Sequence, residues 1–109
     1  MEPLDLTALA AEHLAEARAA SNGRSSVKLV GDHSALLREN LIALKAGAAL
    51  QDHESPGEAT LLVLEGQIEF HAGDETVMLD AGHLIEIPPT RHGLTALTDA
   101  VVILAVAKA

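Results

Sequence analysis

The sequence predicts an all-β fold, a small barrel or sandwich of about nine strands with one α-helix before it. From residue 25 onward, short apolar runs are separated by glycine or proline at close spacing, which is typical of antiparallel β structure. The first 20 residues instead place apolar side chains at steps of three and four, the spacing of one helix face. A chain of 109 residues has room for one domain with a single core.

One face of the predicted N-terminal helix is formed by six residues at helical spacing: Leu6, Leu9, Ala10, His13, Leu14 and Ala17. Asp5 or Thr7 is expected to cap the start of this helix. The segment that ends at Gly23 is expected to supply the left-handed residue that closes it. We therefore assign residues 1–23 to the helix and its connector, and residues 24–109 to the barrel domain.

The strands are predicted at residues 25–30, 36–46, 49–54, 60–65, 67–72, 75–80, 84–87, 92–96 and 101–107. Residues 67–71 alternate between polar and apolar, so one face of this strand is expected to be exposed to solvent. Residues 61–64 and 101–104 are apolar at every position, so both faces of these strands must be covered. The second cover would come from the helix, a second sheet layer or a partner subunit, and we expect a homodimer.

Charge and composition exclude several classes of partner. The chain carries seven Lys and Arg against sixteen Asp and Glu, a net charge of −9, and its only aromatic residue is Phe70. Binding to nucleic acid or to an anionic membrane is therefore not expected, because no basic cluster or stacking surface is present. The acidic N-terminus and the lack of a long apolar run favour a cytoplasmic protein. With no cysteine, any metal site depends on histidine and oxygen ligands.

Two segments resemble the paired sequence motifs of the cupin family. The first runs from Gly47 through His53 to Gly66, and the second, residues 81–93, leads through a Pro-Pro turn to His92. The resemblance, with the flanking strands, covers roughly residues 36–108. It implies a cupin-type double-stranded β-helix, that is, a jelly-roll barrel, with one N-terminal α-helix.

The metal ligands that the resemblance implies are only partly present. The family site is described as three histidines and a glutamate, and alignment on His53 places Ser55 at the second position and Ala59 at the third. His92 takes the fourth, although the second motif is one residue short before it. Glu58 lies beside the vacant carboxylate position, but a shift of one residue along a strand reverses the face. A divalent ion (Zn, Fe, Mn or Ni) would therefore have only His53 and His92 as ligands.

The function is predicted to depend on the mouth of the barrel, where His53, Ser55, Arg91 and His92 form a candidate ligand pocket and no residue is assigned as catalytic. The Arg91 guanidinium suits a carboxylate ligand, but an exposed salt bridge is the default expectation for this side chain. The first hypothesis is a non-enzymatic module that binds a small molecule without a full metal site. The alternatives are a metal-dependent oxygenase, isomerase or decarboxylase that uses His53 and His92, and a lumen filled by apolar side chains.

Overall fold

The computed structural model describes residues 1–55 and 57–107, which form one helix and nine strands. In chain order these are α1 (Leu6–Ala19), β1 (Arg24–Val30), β2 (Leu37–Leu44), β3 (Ala49–His53), β4 (Glu58–Glu65), β5 (Gln67–Ala72), β6 (Glu75–Asp80), β7 (Leu84–Glu86), β8 (His92–Ala96) and β9 (Ala100–Ala107). Pro56 of the first motif and the last two residues of the predicted barrel lie outside the described residues.

The strands form two antiparallel sheets that face each other. One sheet has the strand order β1-β2-β9-β4-β7, and the other has the order β3-β8-β5-β6. Neighbouring strands are mostly distant in sequence, as expected for a jelly roll rather than a meander. The prediction of an all-β jelly-roll barrel with one N-terminal helix is confirmed.

The inner core lies between the two sheets. Alternate residues of each strand point into it, so that Leu61 and Val63 of β4 meet Ile68 and Phe70 of β5. All four side chains are at most 3% exposed. Because apolar burial is the main favourable term in folding, this layer holds the two sheets together.

The helix covers the outer face of the five-stranded sheet. Ala10 and Ala17 of α1 pack on Leu41, Ala43 and Val101, and all five are buried. The alanine side chains allow the helix to approach the sheet closely. The predicted second cover over the apolar run of β9 is thus supplied in part by the helix of the same chain.

The start of α1 is as predicted, whereas its end differs. Asp5 is the N-cap, and its side chain accepts a hydrogen bond from the Ala8 amide. The helix ends at Ala19, and Ala20 is extended rather than left-handed. Gly23, with φ +71°, lies instead in the turn to β1, where its carbonyl accepts from the Lys45 amide. Within the described residues, no helix is both long and apolar enough to cross a bilayer.

The N-cap predicts the effect of a substitution at the start of α1. Asp5→Ala is expected to lower the free energy of unfolding by about 1 kcal/mol, because the Ala8 amide loses its side-chain partner. Asp5→Asn keeps an acceptor at the cap and is expected to cost much less. Urea unfolding of the two variants checks this, and equal stabilities for Ala and Asn would contradict it.

Candidate functional site

A β-bulge in β3 sets the direction of His53. In the antiparallel pair of β3 and β8, Leu50 lies opposite Leu94 and His53 lies opposite His92. Three steps along β3 therefore match two steps along β8. In a regular strand, residues three apart point to opposite faces, but Leu50 and His53 line the same internal cavity. The bulge thus turns His53 toward the inside of the barrel.

The imidazole rings of His53 and His92 lie next to each other. Their centroids are 4.5 Å apart, and the ring planes meet at 65°. His92 is only 3% exposed, whereas His53 is exposed to solvent. The pair therefore lies where the interior of the barrel meets its surface, and we call it the histidine mouth.

Backbone carbonyl groups hold both rings of the histidine mouth. Nδ1 of His53 lies 3.0 Å from the backbone carbonyl oxygen of Gln51, and Nδ1 of His92 lies 2.8 Å from the backbone carbonyl oxygen of Thr90. A carbonyl oxygen only accepts, so each Nδ1 carries a hydrogen and donates it. In the neutral ring this leaves the lone pair on Nε2. Each ring consequently offers one acceptor or metal-ligand atom.

A small apolar cavity lies behind the histidine mouth, and its volume is about 30 Å³. Besides the two histidines it is lined by Ile42, Leu50, Leu61, Phe70, Ile87, Gly93, Leu94 and Leu104. Phe70 stacks on His92 with the centroids 5.7 Å apart and the planes at 28°. Because a water needs roughly 10–15 Å³ of such space, the cavity is only about the size of two waters. The lumen is therefore nearly filled by side chains, but not completely.

The structure does not place Ser55 with the two histidines. The third strand was predicted to run to residue 54, but β3 ends at His53. The Ser55 hydroxyl donates to the Gly57 carbonyl at 3.1 Å, and the side chain lines a separate surface groove beside Glu58 and Glu86. Since Ser55 lies outside the strand, the alternation of β3 does not turn its side chain to the same side as His53.

Arg91 is exposed and lies outside the lining of the cavity. Its guanidinium donates to the Asp52 carbonyl at 3.1 Å and lies 3.4 Å from a Glu54 carboxylate oxygen. This is the exposed salt bridge that was the default expectation for Arg91. A pair of this kind contributes little to stability, about 0–1 kcal/mol.

The histidine mouth does not provide a three-ligand metal centre. Among residues 1–55 and 57–107, no group of three or more His, Asp or Glu side chains is placed to hold a metal ion. Ala59 faces the inner core, and its neighbour Glu58 is exposed, as expected from the alternation of β4. Two imidazole nitrogens fit weak coordination of a late transition metal, but not a catalytic zinc or iron site.

A polar contact that was not predicted from the sequence braces the bulge from outside the barrel. His71 Nε2 donates to the Asp52 carboxylate on the outer face of the four-stranded sheet. Gly93 leaves room for this contact, because a Cβ there would lie 2.6 Å from Asp52 Oδ1 and 3.0 Å from His71 Nε2. Strand alternation does place His71 and Gly93 on one face, but only the bulge brings Asp52 to them.

This brace predicts a pH dependence of stability. The hydrogen bond from His71, helped by the charge of Arg91, holds the pKa of the Asp52 carboxyl below its usual range. The ionised Asp52 carboxylate therefore contributes its full stabilisation above the ordinary carboxyl pKa of about 3.9. This contribution is lost as the pH falls through the lower pKa that Asp52 has in the folded protein. We expect Asp52→Asn to flatten the decline in unfolding free energy between roughly pH 5 and pH 3.

The measurement is urea unfolding as a function of pH. His71→Val, which removes the donor from the other side, is expected to flatten the same part of the curve. If neither substitution changes the slope, the Asp52–His71 contact does not form in solution.

Comparison with known proteins identifies the family. The model of the cupin domain family matches residues 40–107. Among solved structures, the chain is similar to a conserved protein of unknown function, SPY1581, from Streptococcus pyogenes, with 27% identity, a TM-score of 0.73, and coverage of 83% of this chain and 78% of that one. An RmlC-like cupin from Desulfovibrio desulfuricans is 28% identical, with a TM-score of 0.67 and coverage of 77% and 81%.

A larger enzyme resembles this chain in fold only. Salicylate 1,2-dioxygenase from Pseudaminobacter salicylatoxidans is 20% identical with a TM-score of 0.78, and the match covers 92% of this chain but 33% of that one. No curated protein matches the sequence. Since the family model spans more than half of the chain and the structural neighbours share its jelly roll, this protein belongs to the cupin family.

Proposed function

We propose that this cupin domain binds a small organic molecule at the histidine mouth and does so without a complete metal centre. The observation that carries the proposal is the orientation of the rings: both Nδ1 atoms face backbone carbonyls, and neither Nε2 has a hydrogen-bond partner among the described residues. A ligand hydroxyl, acid or N–H group is the chemical complement, because it donates to an imidazole lone pair.

The size of the cavity limits how such a ligand binds. Ligand pockets usually enclose about 300–1,000 Å³, whereas this cavity has about 30 Å³. Only a terminal group of the ligand fits behind the histidine mouth. The rest of the molecule lies outside this cavity.

An NMR screen of small water-soluble fragments tests the proposal. Binding fragments are expected to shift the ring signals of both His53 and His92. His53→Ala removes one acceptor at an exposed position and is expected to lower the affinity for these fragments by about tenfold. His33→Ala, in an exposed loop, is the matched control and is expected to leave binding unchanged. Fragments that bind equally well to His53→Ala would contradict the proposal.

A divalent-metal-dependent cupin enzyme is the second candidate. The contact from each Nδ1 to a carbonyl favours it, because metal-binding histidines usually donate their other nitrogen in this way. Such an ion would supply Lewis-acid chemistry, with His53 and His92 as its protein ligands. Stoichiometric metal in the purified protein that is lost in His53→Ala would favour the enzyme over the binding module.

We also propose that the protein is a homodimer. Beyond the area covered by α1, the outer side of the five-stranded sheet carries Leu37 and Leu84, which are 50% and 61% exposed and border a common groove. Leu84→Lys is expected to shift the protein to a monomer in light scattering after size exclusion. A wild-type monomer would contradict the proposal.

A further inference from the structure

β1 presents a polar row toward the inner side of the five-stranded sheet. Its register with β2 places Arg24 opposite Leu44 and Ser26 opposite Ile42. Leu44 belongs to the inner core and Ile42 packs against it, so Arg24 and Ser26 face the same side as the core. β1 is the edge strand of its sheet, and α1 covers only the outer face of β1. The inner face of β1 therefore forms an open polar shelf at the rim of the barrel.

The shelf borders a groove that lies next to the cavity behind the histidine mouth. The groove has a volume of about 290 Å³ and is lined by Asn22, Arg24, Ser25, Ser26, Ile42 and Leu50. Ile42 and Leu50 also line the cavity behind the two histidines, so the two spaces share a wall. Unlike that cavity, the groove is large enough for the body of a small organic ligand.

The groove is rich in hydrogen-bond donors. Arg24 donates one guanidinium hydrogen to the Ala49 carbonyl at 3.3 Å, which ties the side chain to β3 and leaves its other donors available. Asn22 uses its side-chain oxygen to accept from the Arg24 amide at 3.0 Å, so its NH₂ group remains as a donor. Ser26 adds an exposed hydroxyl.

The charge of Arg24 is not neutralised within the described part of the chain. Arg18 and Arg91 pair with carboxylates, whereas no described carboxylate lies within ion-pair distance of Arg24. Glu39 is the one acidic residue of β1 and β2, and the register of β2 places it on the face opposite the groove. Arg24 is the one charged residue among the described residues that line the groove, and the nearby Glu16 carboxylate accepts from the Ser25 hydroxyl.

We propose that this groove is an anion subsite that binds the carboxylate of a small organic acid through Arg24, Asn22 and Ser26, with the apolar part of the acid against Ile42 and Leu50. A carboxylate fits better than a phosphate dianion, because a single guanidinium balances one negative charge and the protein as a whole is acidic. The inference deepens the proposed function, on which it rests, since the same ligand then extends from the groove to the histidine mouth.

The test is an NMR titration of the full chain with acetate, butyrate and benzoate, and with benzamide as the uncharged counterpart of benzoate. We expect saturable shifts of the amides that line the groove, with benzoate binding more tightly than benzamide. Arg24→Gln is expected to lower the affinity for benzoate by about tenfold or more, because a charge-assisted hydrogen bond is lost. Lys45→Gln changes the net charge equally at an exposed position outside the groove and is expected to have little effect.

The outcomes separate this inference from the proposed function. If none of the three carboxylates gives saturable shifts in the groove, or if Arg24→Gln binds benzoate as well as the wild type does, the anion subsite is refuted. If Arg24→Gln instead dissociates a dimer and carboxylates have no effect, a second copy occupies the groove and the inference is equally refuted. Carboxylate binding that depends on Arg24, together with a fragment screen in which no fragment shifts His53 or His92, supports the subsite and contradicts the proposed function of the mouth.

Discussion

Gly66→Ala is expected to lower the free energy of unfolding by about 3 kcal/mol or more. Gly66 joins β4 to β5, where the chain crosses between the two sheets, and its φ is +81°. A Cβ at this position would lie 2.1 Å from the Asp99 carbonyl oxygen and 2.9 Å from the Ala100 Cα. Both are backbone atoms, so neither can move aside as a flexible side chain would. Urea unfolding of the variant measures the effect.

Gly47→Ala is the matched control for this substitution. Gly47 opens the first motif and also has a left-handed φ, +88°, but a Cβ there would meet no atom within 4 Å. Its replacement by alanine is expected to lower the free energy of unfolding by only about 1–2 kcal/mol, because alanine is strained in the left-handed conformation but meets no other atom. Equal losses for the two variants would contradict the argument from the close backbone approach at Gly66.

Phe70→Ala is expected to destabilise the protein by about 3–5 kcal/mol, the range for truncation of a buried phenylalanine. The ring is 3% exposed, lies in the inner core and stacks on His92. Its loss enlarges the small cavity and removes the support of the His92 ring. We therefore expect weaker fragment binding at the histidine mouth as well as lower stability in thermal and urea unfolding.

Phe70→Leu separates the two effects. Leucine retains much of the apolar volume, so stability is expected to fall less than in Phe70→Ala. The aromatic stack on His92 is nevertheless lost. If Phe70→Leu binds fragments as the wild type does, the stacking contact does not contribute to the arrangement of the mouth.

Most of the fold could be predicted because its signals are local. Glycine and proline mark nearly every strand end, and the alternation in β5 correctly places Ile68 and Phe70 in the core. The uniformly apolar run of β9 correctly indicated a second cover, which α1 provides over Val101. The end of α1 was less predictable, because the turn around Gly23 is set by its contact with residue 45, distant in sequence.

The candidate site could be predicted only in part, because it depends on strand pairing. His53 and His92 were expected to meet, and their rings are adjacent. The sequence contains no sign of the bulge in β3, which arises from the pairing of this strand with β8. The sequence likewise does not set the direction of Ser55, since the strand ends before it. The side to which Arg24 points depends equally on register, in this case with β2.

The central claim is that the histidine mouth presents two imidazole lone pairs to a ligand. It is tested most directly by ¹⁵N NMR of the histidine ring nitrogens, at a pH of about 8.5 where imidazoles are ordinarily neutral. The account predicts that Nδ1 is protonated and Nε2 is unprotonated in both His53 and His92, and that an added fragment shifts both Nε2 signals. Protonated Nε2 atoms in either ring, or rapid tautomer averaging as in free imidazole, would contradict it.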